Sequence, residues 1–274
     1  MVVDDRILAA VTPENAGWSY AGLGIVVLPP YARYEFDTGP DEVAVIPLVG
    51  SVTVAAEADR LDLEGRADVF SSTTDFAYLP CNSSVYLEST TGGEFALARA
   101  RASDQLDPAY GPKRTTQVTV RGAGACTRQV NNIITADTFR ASKLLVVEVL
   151  SPGGNWSSYP PHKHDEDRPP DEVSLEEIYY FRTRDRAGFG VHRLYRDDDS
   201  LDLTHRVGHG DVFLIPDGYH GPTIAGPGYD LYYLNVLAGP SEGRAMTPSF
   251  DPEHEAIRRR WEHEQADPRV PFYE

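Results

Sequence analysis

A chain of 274 residues with 41% hydrophobic and 24% charged residues can bury one large core or two medium ones. Its net charge of −17 argues against nucleic acid or an anionic membrane surface as partner, and no apolar run reaches the roughly 18 residues of a bilayer span. Two cysteines, Cys81 and Cys126, make no disulfide framework, and the start of the chain lacks the basic head and apolar stretch of a secretory signal. A cytoplasmic address is therefore expected.

In chain order, short runs rich in Val, Ile, Tyr and Thr alternate with Gly, Pro, Asn and Asp. Strands are expected at Gly24–Leu28, Glu42–Leu48, Ser51–Ala55, Ser84–Leu87, Gln117–Val120, Lys143–Leu150, Glu177–Phe181, Gly190–Tyr195, Asp211–Ile215 and Tyr229–Leu237. One long helix is expected, from about Pro252 to Gln265, with proline in its first turn. So many short strands make the fold all-β, a barrel or sandwich.

A weak internal repeat divides the chain. Gly65-Arg-Ala-Asp-Val-Phe70 echoes Gly208-His-Gly-Asp-Val-Phe213, each strand closing at a proline, Pro80 and Pro216. Glu42-Val-Ala-Val45 similarly parallels Glu177-Ile-Tyr-Tyr180. Two tandem barrels at an offset of about 140 residues are expected. The boundary falls in or just after the polar stretch 102–113, which gives domains of 1–115 and 116–274. All eight histidines lie between His162 and His263. The first barrel thus has no imidazole ligands and should serve as support and as one wall of the site.

His162-Lys-His164 follows the extended segment Trp156-Ser-Ser-Tyr-Pro-Pro161, and residues i and i+2 of a strand share a face. Both rings can therefore reach one cation. A third imidazole, His220, ends Gly210-Asp-Val-Phe-Leu-Ile-Pro216-Asp-Gly218-Tyr-His220. Imidazoles joined by a carboxylate suit a divalent transition metal: zinc or manganese first, then iron, cobalt or nickel. For the acid, alternation and the Glu42 parallel favour Glu177, with Glu176, Glu172 and Glu166 as alternatives. His192 and Glu176 are candidates for proton transfer. Arg182, Arg193 and Arg128 could clamp a carboxylate, and Tyr179, Tyr232 and Tyr233 could meet a sugar-like ligand. Asn235 is a candidate barrel-lining polar residue. His205, His209, His254 and His263 are expected at the surface.

The His-x-His pair and the Pro-x-Gly-Tyr-His turn resemble the two cupin motifs. Two departures stand out, an insertion at 165–175 before the acid and a single residue between Gly218 and His220. Longer segments resemble one family, the 5-deoxy-glucuronate isomerases of inositol catabolism. They are Thr12-Pro-Glu-Asn-Ala-Gly-Trp18, Thr127-Arg-Gln-Val130, Asn155 to Asp165, Leu175 to Tyr180 and Tyr229-Asp-Leu-Tyr-Tyr-Leu-Asn-Val236, so the likeness spans nearly the whole chain. It implies two cupin (double-stranded β-helix) barrels with a short C-terminal helix. The implied activity is a metal-dependent aldose–ketose isomerisation of 5-deoxy-D-glucuronate to 2-deoxy-5-keto-D-gluconate. The implied metal ligands are His162, His164, Glu177 and His220, with a small sugar acid as the partner; assembly into a homo-oligomer stays open. Rival readings are another uronate ketol-isomerase, an iron-dependent cupin dioxygenase, and a non-catalytic sugar-acid-binding cupin.

Overall fold

Hydrophobic alternation and frequent turn residues drive this chain into antiparallel sheets. The computed structural model describes residues 6–56, 59–102 and 104–273. Ser103, in the expected linker, lies outside the described residues. Two compact units emerge. The first takes in the chain up to Gln117, with Ile133–Val146 and Val236–Arg244; the second comprises Val118–Asn132, Val147–Asn235 and the chain from Ala245 on.

The amino-terminal strands are β1 (Ile7–Val11), β2 (Ala21–Leu28), β3 (Ala32–Asp37), β4 (Asp41–Ala56), β5 (Asp59–Arg66), β6 (Phe76–Leu79), β7 (Ser84–Ser89), β8 (Gly93–Arg101) and β9 (Ala109–Gly111). They form one sheet in the order β1-β2-β8-β4-β6-β9, with β5 on β4 and β7 bridging β3 to β4. The two strands expected at 42–48 and 51–55 are one element, β4, whose pairing shifts register between Pro47 and Val49 and again between Gly50 and Val52. One turn of helix, α1 (Pro13–Ala16), links β1 to β2. Thr12 caps it, and the Thr12 and Asn15 side chains satisfy each other's backbone N–H groups. Inward-facing Val43, Val45, Leu79, Leu87, Phe95 and Leu97 fill the core.

The remaining strands are β10 (Gln117–Arg121), β11 (Arg128–Ile134), β12 (Leu145–Ser151), β13 (Trp156–Ser157), β14 (His162–Lys163), β15 (Glu176–Thr183), β16 (Gly190–Tyr195), β17 (Asp202–Val207), β18 (Val212–Ile215), β19 (Tyr219–Ala225), β20 (Leu231–Ala238) and β21 (Ser249–Phe250). They make two sheets, β10-β11-β12-β20-β15-β18 and β17-β16-β19-β14-β21, with β13 paired to β19. Val130, Val149, Tyr179, Phe181, Leu194, Phe213, Ile215 and Tyr233 form the second unit's core, which places alternate residues of β11, β15, β16 and β20 inside. The architecture is all-β. Among the described residues no helix is long and apolar enough to cross a membrane.

Two expectations need correction. The helix expected over 252–265 is a single α turn, α2 (Ile257–Arg260), followed by a 3-10 turn at Trp261–His263. None of its residues is buried. Without an apolar stripe to pack, the segment keeps i→i+3 hydrogen bonds, as from Arg258 N to Glu255 O, instead of a longer α-helix. The second correction concerns the repeat. Glu177 pairs across the ladder with Ile215, the residue before Pro216, and in the first unit it is Val43 that pairs with Leu79, the residue before Pro80. Val43, a core residue, therefore stands in the place of Glu177, and Glu42 corresponds to Glu176. Glu42 turns away from that core. Its buried carboxylate accepts hydrogen bonds from Tyr78 Oη (2.6 Å) and from the backbone N–H groups of Ser142 (2.7 Å), Lys143 (2.6 Å) and Leu144 (2.6 Å). It fastens the 133–146 segment within the first unit.

Candidate metal centre

Two strands of the second unit, with the residue that follows one of them, deliver the histidines. On β14, His162 pairs directly with His220 of β19, which brings two rings together by register alone. The turn before β19 is made by Gly218 at φ 87°, where a Cβ would lie 2.7 Å from the Tyr195 carbonyl oxygen. Gly221, at φ 111°, lets the backbone beside His220 pass close to Ser158; a Cβ there would sit 1.8 Å from the Ser158 oxygen. His220 thus lies inside the strand that follows the turn, not on the turn itself.

The insertion 165–175 is folded around Glu172. Its fully buried carboxylate accepts from the Asp165 N–H (2.7 Å), the Glu166 N–H (3.0 Å) and Arg168 Nη2 (3.0 Å). Leu175 N–H then closes onto the His164 carbonyl at 2.9 Å, which returns the chain to β15 beside the histidines. Both alternatives to Glu177 within this loop are thereby committed, Glu172 to the loop and Glu166 to an exposed pair with Arg168.

The side-chain ligand atoms of His162, His164 and His220 lie within 4.8 Å of one another. Glu177 joins them, with Oε2 2.8 Å from His220 Nε2. That contact is close but not aligned as a hydrogen bond, since both atoms, and His220 Nδ1, lack a hydrogen-bond partner among the described residues. Glu177 Oε1 is held by Asn235 Nδ2 at 3.1 Å. His162 Nδ1 lies 3.4 Å from the Pro160 carbonyl, which can only accept, so Nε2 keeps its lone pair for the cluster. Burial pushes His162 and His164 below the usual imidazole range, so both are neutral at physiological pH. For Glu177 burial acts upward, but the neighbouring His220, His164 and His162 outweigh it and hold the carboxyl well below the usual carboxylate range. Neutral imidazoles beside a carboxylate are the metal-binding protonation states. Buried lone pairs converging without partners are costly unless a cation takes them, so this donor set fits a divalent metal.

Beneath the histidines, Tyr179 and Tyr233 stack at 4.6 Å between centroids, and both hydroxyls meet Ser158 Oγ, at 3.2 and 3.1 Å. His192 is fully buried, 5.3 Å from the Tyr179 ring and 4.6 Å from Phe213. Its Nδ1 meets Thr223 Oγ1 at 2.7 Å, and Nε2 has no partner among the described residues. Burial pushes its pKa down to about 3.

Other candidates lie elsewhere. Glu176 is on the face of β15 opposite Glu177, and Arg182 shares that outer face with Ile178 and Tyr180. Arg193 faces outward, bound by two hydrogen bonds to Asp202 and lying 4.0 Å from the Tyr195 ring centre. Tyr232 alternates with Tyr233, and its hydroxyl donates to Glu148 at 2.8 Å on the outer side. His205 and His263 are exposed as expected, whereas His209 and His254 are half-buried. Sequence reasoning missed Ser158, Thr223 and the stapling role of Glu172, because nothing in their local pattern separates them from ordinary strand and loop residues.

A β-barrel that carries three histidines and a glutamate to one buried point is a cupin with a candidate metal centre. Its relatives narrow the class. The KduI/IolB family model matches residues 2–257. The chain is 41% identical over 249 residues to the 5-deoxy-glucuronate isomerase of Geobacillus kaustophilus, covering 90% of this chain and 89% of that one. Among solved structures it is similar to an IolB-like protein from Salmonella typhimurium, with TM-score 0.87, 31% identity and coverage of 93% and 97%. It also resembles the Lactobacillus farciminis oxalate decarboxylase at TM-score 0.61 and 14% identity, covering 88% of this chain and 82% of that one, a likeness of fold alone. The chain belongs to the KduI/IolB family.

Proposed function

We propose that this protein is an aldose–ketose isomerase of inositol catabolism that converts 5-deoxy-D-glucuronate to 2-deoxy-5-keto-D-gluconate. Its centre is a divalent metal site held by His162, His164, Glu177 and His220. The single observation that carries the reading is the convergence of these donors, with atoms left unpartnered, in a chain 41% identical to a protein named for that activity. A cation bound there, zinc or manganese by its donor set, supplies a Lewis acid that polarises the C1 carbonyl and eases loss of the C2 proton.

The residues of the chain do the rest. Asn235 fixes Glu177 so that Oε2 faces the histidines. The stacked Tyr179 and Tyr233 pack beside the histidines and exclude water from that side. His192, neutral and with Nε2 unpartnered, is the proton carrier of this reading. It takes the proton from C2 and returns it to C1, while the hydroxyl proton passes from O2 to O1; no oxidant or reductant is needed. Glu176, Arg182, Arg193 and Tyr232, all on outer faces, have no part in it. The cytoplasmic address belongs to the same proposal and rests on the pathway.

Turnover in heavy water tests the mechanism. Deuterium is expected on the product's CH2OH carbon, which derives from substrate C1; complete retention of the hydrogen from substrate C2 would replace the proton carrier with a hydride shift.

A further inference from the structure

The arginines of the second unit differ in one respect. Arg168, Arg184, Arg193, Arg196 and Arg269 each pair with a carboxylate. Among the described residues Arg128 has none. It lies at the start of β11 on the same face as the core residue Val130, so it projects toward the barrel interior. Its Nη1 donates to the Cys126 carbonyl at 3.2 Å, and the guanidinium sits 5.5 Å from the Trp261 ring centre. The phenol oxygens of Tyr179 and Tyr233 are within its electrostatic reach, and the charged side chain it feels is another cation, Arg121. A half-buried guanidinium with a neighbouring cation and no acid partner among the described residues is poised for an anion from outside them.

We propose that Arg128 anchors the distal carboxylate of the substrate. This rests on the isomerase reading above and deepens it. Tyr179 links the two places: its ring lies 6.0 Å from that of His220, and its phenol feels the charge of Arg128. An extended six-carbon acid is roughly 6 Å from C1 to C6, a length that would run along Tyr179 from the histidine end toward Arg128. Arg128 is then the residue that selects an acid over a neutral sugar.

The test compares 5-deoxy-D-glucuronate with its neutral C6 amide, using metal-analysed protein. Wild type should prefer the acid. In Arg128→Gln, kcat/KM for the acid should fall about 10- to 100-fold, mostly through KM, with the amide falling far less and bound metal unchanged. Arg128→Lys should recover part of the loss, because it keeps the charge but not the fork. Acid and amide falling in parallel, or neither falling, would overturn the assignment. Should Arg128→Gln not fold, the wild-type preference together with Arg128→Lys decides: equal use of acid and amide by wild type refutes the anchor. Wild type that converts neither compound would instead refute the isomerase reading, and the anchor with it.

Discussion

Replacing Glu42 with alanine removes the acceptor of four hydrogen bonds at 2.6–2.7 Å, one from Tyr78 and three from the backbone at 142–144. Hydrogen bonds to a charged group contribute about 1.5–3 kcal/mol each, a gross loss of roughly 6–12 kcal/mol. Releasing a carboxylate from a fully buried position returns several kcal/mol of desolvation, which leaves a net destabilisation of about 3–5 kcal/mol. For a unit of this size that lowers the melting temperature by roughly 6–20 °C. Glu42→Gln keeps the volume but turns an NH2 group toward N–H donors, so it should recover less than half. Urea unfolding and a thermal scan of both variants measure the effect. A loss below about 1 kcal/mol for the alanine variant would refute the reasoning, because it would mean that the 133–146 segment is held by other contacts.

Three other outcomes are expected. Asn235→Ala frees Glu177 to rotate, and metal affinity should drop about 10- to 100-fold in a chelator competition, with the fold intact by circular dichroism. His220→Ala should bind well under one equivalent of metal by elemental analysis and lose turnover, while near-full occupancy would remove His220 from the ligand set. His192 gives a pH dependence. Its folded pKa of about 3 lies below the unfolded value near 6.5, so the stability linked to it is present above pH 6.5 and is lost as pH falls toward 3. In chelator-treated protein, the urea midpoint of His192→Asn should fall less steeply between pH 6.5 and 4 than that of wild type, by up to about 1.4 kcal/mol per pH unit; identical slopes would contradict the burial argument.

Much of the centre was legible because its residues obey local rules. His162 and His164 share a strand face by period two, and His220 follows a glycine that the tight turn requires. Alternation likewise separated Glu177 from Glu176. What escaped depends on contacts between distant segments. Glu42 and Glu177 look alike in sequence, yet ladder register sets one outside its core and the other inside, a one-residue offset that only pairing reveals. β17 was hidden because its residues are exposed along almost its whole length and show no alternation. The terminal helix was overread, since charge and a leading proline mark a start but do not supply a face to bury. Arg193 and Arg128 were equal candidates by residue type. Only the structure shows Asp202 on one and, among the described residues, no acid on the other.

The most direct test of the account is conversion of 5-deoxy-D-glucuronate by metal-analysed protein under strictly anaerobic conditions, followed by NMR. The account predicts 2-deoxy-5-keto-D-gluconate as product, with activity abolished by chelation and restored by zinc or manganese. No conversion with any divalent metal, or conversion that requires oxygen and yields a cleaved product, would contradict it.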